Sequence, residues 1–190
     1  MKVVSISYGV NMKMFVVILA SMMSIAHAAG GISGGGGNVI NPTAPKTIQD
    51  PREIRAIILG TKNLLCKYLS AKYSLYINGS LDDESLKLYS VLFSENGMNL
   101  HEIMEEIKID VPLTDGCYDQ LGNSFDGSTF AQRHHSVCIS AYRIAKSTDK
   151  LEVPIQATAL ILHEFSEVAG LSDDDAIYLQ TKAIEELKAW

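Results

Sequence analysis

VPIQATALILHEFSEVAGLSDDDAIYLQ, residues 153–180, decides how this chain folds. Pro154 suits the first turn of a helix, where its missing N–H costs nothing. The run ATALIL at 157–162 is apolar on every side, so the pattern predicts a helix enclosed by protein. Gly170 then suits the helix end. Three polar residues, His163, Glu164 and Glu167, interrupt this buried run. An unpaired buried charge is expensive, so these groups need an ion, hydrogen bonds or a cleft. His163 and Glu167 are four apart, and one helical turn brings them onto the same face, with Glu164 beside them. Ser172 caps a second helix, with Asp175 three residues on as an approximate capping box. Asp173, Asp174 and Asp175 fill its first turn, where negative charge is favoured. The short Ala169-Gly170-Leu171 connection must fold this helix back on the first. One of the aspartates is thereby expected near the His163/Glu167 face.

The letters LHEFSEV at 162–168 have a near copy, LHEIMEE, at 100–106. There Leu100, Ile103, Met104 and Ile107 form one apolar stripe, and His101, Glu102, Glu105 and Glu106 form a wet face. An amphipathic surface helix accounts for every residue of that copy.

At the other end, Lys13, the apolar run MFVVILASMMSI and Ala26-His27-Ala28 have the order of a secretory signal peptide. Residues 1–28 are read as that signal, with Met12 as an alternative start. The apolar run is short for a bilayer span, so no stable membrane insertion is expected after cleavage. The expected location is secreted or periplasmic. Residues 29–49, which open with GGISGGGG, read as a flexible Gly-rich leader. Residues 50–190 then form a single domain, long enough to bury a core. The formal charge of the whole chain is −6, and loss of Lys2 and Lys13 with the signal leaves about −8. With no dense basic patch, no nucleic-acid partner is expected; a protein or peptide partner remains open.

Within the domain, Asp50-Pro51 starts a helix predicted to run to about Tyr76. A second helix is predicted over Leu81–Phe93. Residues 109–132 read as loops with a short strand at IDVPL, and HHSVCISAY, 134–142, reads as a strand. Adjacent strand residues point to opposite faces, so His134 and His135 do not easily share one ion. Of the three cysteines, Cys117 and Cys138 flank the loop-rich segment and form the preferred disulfide. Cys66 lies in a helical pattern and is read as a buried thiol.

The run VCISAYRI…ATALILHEFSEVAGLSDDDAIYLQ resembles secreted bacterial proteins related to the gluzincin zinc metallopeptidases, over about residues 115–188. The resemblance implies an α+β, mostly helical fold, with a metalloprotease-like helical hairpin packed on a short β-sheet. It implies that His163 is a metal ligand and Glu164 the general base. Glu167 stands where the family has a second histidine. Asp173, three residues before Ala176, stands where the family has its third acidic ligand. Zinc is the implied ion. The oxygen-rich ligand set turns preference toward manganese, and a site holding no metal is the third option. Two functional readings follow. In one, the protein is a non-catalytic or impaired relative that binds a partner or serves the cell envelope. In the other, it is an active metal-dependent peptidase using His163, Glu167 and Asp173 as ligands and Glu164 as base.

Overall fold

In a computed structural model, residues 36–47, 49–93, 108–119, 121–129 and 136–190 are described, and they belong to one compact unit. In chain order the helices α1 Pro51–Gly60, α2 Lys62–Ile77 and α3 Asp83–Leu92 come first. The strands β1 Lys108–Asp110, β2 Cys117–Tyr118, β3 Ser124–Phe125, β4 Gly127–Thr129 and β5 Ser136–Ile139 follow. The chain ends in the helices α4 Ala141–Ser147, α5 Val153–Val168 and α6 Asp173–Lys188. The fold is thus α+β and mostly helical, as expected.

Asp50 caps α1 by accepting the Arg52 N–H at 2.9 Å, and Pro51 opens the helix. The single helix expected over 50–76 is two helices, broken at Thr61. Its hydroxyl donates to the Ile58 carbonyl at 2.6 Å, and its N–H bonds the same oxygen. A threonine that satisfies a carbonyl of the preceding turn competes with helix propagation. Ile54 and Ile58 of α1 and Leu65, Tyr68 and Leu69 of α2 enter the core. Tyr68 and Lys72 both reach Glu186 of α6, at 2.8 and 2.6 Å, which ties the last helix to the second.

The three-stranded sheet has the order β1-β5-β4, with β1 parallel and β4 antiparallel to central β5. Val137 and Ile139 of β5 are fully buried. The strand expected over 134–142 ends at Ile139. Ser140 caps α4 by accepting the Arg143 N–H at 3.1 Å, while its hydroxyl bonds the Asp115 carbonyl. The β2–β3 hairpin is stapled to β5 by the Cys117–Cys138 disulfide, with Cα atoms 5.8 Å apart. Cys66 is half-buried rather than buried.

Helix α5 is enclosed by α6, α1, α2, β4 and β5. Ala157, Ala159, Leu160 and Ile161 are all fully buried, in keeping with the apolar run. Each large aliphatic side chain so buried contributes about 1.5–3 kcal/mol. The helix closes with the Leu171 N–H on the Ser166 carbonyl and the Gly170 N–H on the Glu167 carbonyl. Gly170 has φ +97°, a conformation that side chains resist and glycine adopts freely. Ser172 then accepts the Asp175 N–H at 3.2 Å and donates to the Asp175 carboxylate at 2.8 Å, starting α6. Among the described residues no helix is long and apolar enough to cross a membrane.

The leader is not free where it is described. From Gly37 to Thr43 it lies on the domain, and buried side chains take up its main-chain groups. Composition alone hid this, because the anchoring comes from distant residues. The first H-E-x-x-E stretch and the His134-His135 pair lie outside the described residues.

Candidate metal centre

The turn between α5 and α6 does what the spacing demanded. His163 Nε2 lies 4.0 Å from Glu167 Oε2, one turn along α5, and 3.6 Å from Asp173 Oδ1 at the start of α6. One ligand atom from each residue falls within 4.8 Å of the others. A tetrahedral ion with bonds of about 2.0 Å has ligand–ligand edges of about 3.3 Å. The two edges at His163, 3.6 and 4.0 Å, are wider, so an inward movement, or a larger ion, satisfies them.

Burial is uneven across the three. The His163 and Glu167 side chains are almost sealed, at 2% and 7% exposed, while that of Asp173 is 66% exposed. The centre therefore opens to water on the α6 side. Both ring nitrogens of His163 and the Oε2 atoms of Glu164 and Glu167 are buried with no hydrogen-bond partner among the described residues. An orphaned buried polar atom costs about 1–3 kcal/mol, so the His163 Nε2 and Glu167 Oε2 pair, 4.0 Å apart, requires a cause. A divalent cation between the imidazole and the two carboxylates supplies one, and the donor types fit zinc or manganese.

The electrostatics agree with that reading. Burial lowers the His163 pKa against the pull of Asp173, so the ring is held neutral, as a metal ligand must be. Burial, with the Asp173 charge behind it, pushes Glu167 up to about 7. Burial holds Glu164 well above the usual carboxylate range, opposed by one hydrogen bond and reinforced by Glu167 and Asp173. Without a cation, two of the three acids hold protons more tightly than usual.

Glu164 points toward β4 and the leader. Its Oε1 accepts the Gly37 N–H at 2.9 Å. A Cβ on Gly37 would lie 2.8–2.9 Å from Leu160, Glu164 and His163. A Cβ on Gly127 would lie 2.9 Å from the same Glu164 oxygen. Both positions must be glycine for the two backbones to approach this close.

No known protein family, curated protein or solved structure matches this chain. The site therefore rests on its own geometry.

The sequence had singled out His163, Glu164, Glu167 and Asp173; a ligand atom from each of His163, Glu167 and Asp173 lies within 4.8 Å of the others, while Glu164 turns toward Gly37 and Gly127. It had missed Gly37 and Gly127, and also Gln156, Gln180 and Asp126, which anchor the leader over the site. Asp126-Gly127 could have been noticed as a turn dipeptide inside the loop-rich segment. Two buried glutamines facing an apolar run carry no comparable signal.

Proposed function

We propose that the protein is an exported divalent-metal-binding domain with a metallopeptidase-like site. His163, Glu167 and Asp173 hold the ion, and Glu164 stands in the place of a general base. One observation carries this reading: three donor atoms from two helices converge, and the His163 Nε2 and Glu167 Oε2 among them are buried without a hydrogen bond. When bound, the ion would supply Lewis acidity to a water or carbonyl beside Glu164. Glu164 has one oxygen fixed and one free, so it can hold or pass a proton at Oε2. Two carboxylates beside one imidazole leave the centre nearly neutral, which weakens that Lewis acidity relative to a two-histidine site. Export is supported by the N-terminal apolar run and by the disulfide, which persists in oxidising compartments.

A second reading, an impaired relative that keeps the scaffold and binds a polypeptide, is favoured by the leader. Its Gly37 already lies against Glu164, whose Oε1 accepts the Gly37 N–H at 2.9 Å. Elemental analysis after loading with zinc or manganese tests the shared premise. One ion per chain, lost in His163→Ala, is expected; no bound metal in the folded wild type overturns it. Peptidase activity abolished by Glu164→Gln then selects the catalytic reading.

A further inference from the structure

We propose that the Gly37–Ile40 segment is a positioning element of the metal centre: it ties α5 to α6 beside the ligands, so that ion binding and docking of the leader strengthen each other. This coupling rests on the metal-binding reading given above and supplies its regulation.

The leader and the ligands use the same faces of the α5–α6 hairpin. Gln156 precedes His163 by seven residues on α5, and Gln180 follows Asp173 by seven residues on α6. Seven residues are close to two full turns, so each glutamine shares a helix face with a ligand about 10.5 Å away along the axis. An ion would join the helices near the Gly170 turn, through His163 and Glu167 on one side and Asp173 on the other. The leader joins them two turns further on. Gln180 donates to the Asn38 carbonyl at 2.9 Å. Gln156 meets Ile40 twice, accepting its N–H at 3.3 Å and donating to its carbonyl at 2.9 Å. The leader also touches the centre itself. Gly37 donates to Glu164 Oε1 at 2.9 Å, and a Cβ there would lie 2.9 Å from His163 Cδ2, the ring carbon bonded to Nε2. The Gly37 main chain thus packs on the edge of the ligating ring and restrains its rotation.

Gln156 and Gln180 are 0% and 1% exposed. Undocking the leader leaves their amide groups buried without partners, which is unfavourable until water enters between the helices. Water there spreads α5 from α6 and carries Asp173 away from His163. The edges at His163, 3.6 and 4.0 Å, are already wider than a small tetrahedral ion needs, so the spread form binds the ion more weakly. By thermodynamic reciprocity the ion then holds the leader down by the same factor. Couplings of this kind run to about 5–150-fold. The centre acts as a latch: loss of the ion loosens Gly37–Ile40 and uncovers His163 and Glu164, and its return closes the segment again.

The test uses the full chain in EDTA or with saturating zinc or manganese, its metal content read by elemental analysis. Bound ion is expected to slow hydrogen exchange over residues 37–40 by about fivefold or more, read by mass spectrometry. Exchange at Leu121 and Asn123, whose amides are held by Asp119 in the β2–β3 turn, is expected to stay the same. In the reverse direction, Gln180→Leu removes the tie to Asn38 without altering a ligand, and should weaken ion binding by about fivefold or more. Tyr68→Phe removes a bond from α2 to Glu186 of the same helix, and should lower stability with affinity unchanged. One ion per chain with unchanged exchange at 37–40 overturns the proposal, whether or not Gln180→Leu folds. Equal loss of affinity in Gln180→Leu and Tyr68→Phe also overturns it, because that marks a general loosening of α6. A folded wild type that binds no metal removes the metal reading itself, so the two failures are told apart.

Discussion

His163 Nε2 and Asp173 Oδ1 stand 3.6 Å apart although one lies within α5 and the other opens α6. That proximity comes from the Gly170 turn and the Ser172 cap, and it leads to the first prediction. His163→Ala should lower zinc or manganese affinity by about 100-fold or more, at least the ~10–100-fold of an outer-shell loss. Asp173→Asn should cost less, about tenfold, because its exposed carboxylate is replaced in part by water. Isothermal titration calorimetry measures both; equal affinity in wild type and His163→Ala would remove the imidazole from the ligand set.

Glu167→His restores a two-imidazole pair one helical turn apart. Zinc affinity should rise about tenfold while manganese affinity falls, since nitrogen ligands favour zinc and oxygen ligands manganese. Competition titration against a chromogenic chelator reads the ratio. An unchanged zinc-to-manganese preference would count against Glu167 as a ligand.

The acids give a pH signature. Glu167 is raised to about 7 and burial raises Glu164 well above the usual carboxylate range, so both bind protons more tightly when folded than when unfolded. Their contribution to stability is complete below the unfolded values, near 4.5, and is lost as pH climbs through the folded values. His163 is lowered, so its opposing effect is confined below about pH 6.5. The melting temperature of metal-free protein should therefore fall as pH rises from about 6.5 through about 7, the folded value of Glu167. Saturating manganese should flatten that slope, because the ion displaces the protons from Glu167. Scanning fluorimetry checks it, and a melting point that rises with pH in EDTA would contradict the assignment.

The Cys117–Cys138 bridge closes a loop of 21 residues' separation. Replacing both cysteines with serine should remove about 3 kcal/mol, the chain-entropy value for a loop near that length. In a domain of this size that is a fall of about 6–12 °C in melting temperature. Differential scanning calorimetry measures it; a change under 2 °C would mean that the β2–β3 hairpin is held by other contacts.

Helix positions and the site were legible because both live in short-range pattern. The apolar run of α5, the Gly170 stop and the Ser172 start follow from local chemistry, and they place Asp173 against His163. The disulfide followed from its flanking loops. What was hidden depends on distant partners. Thr61 divides the first helix because its hydroxyl turns back to Ile58, which helical periodicity does not register. Ser140 ended the strand early through a bond to Asp115, 25 residues away. The glycine leader looked incapable of packing because it has few side chains to bury; its described Gly37–Ile40 stretch is held by Gln156, Gln180 and Glu164.

All three candidate ligands fall between residues 163 and 173, on a hairpin whose closure is already complete in the Schellman turn and serine cap. Chain entropy grows with the length of the loop an ion must close, and here that length is minimal. Ion uptake thus becomes a late, exchangeable event on a finished scaffold. The chain can reach its shape in a metal-poor compartment and be charged wherever cations become plentiful.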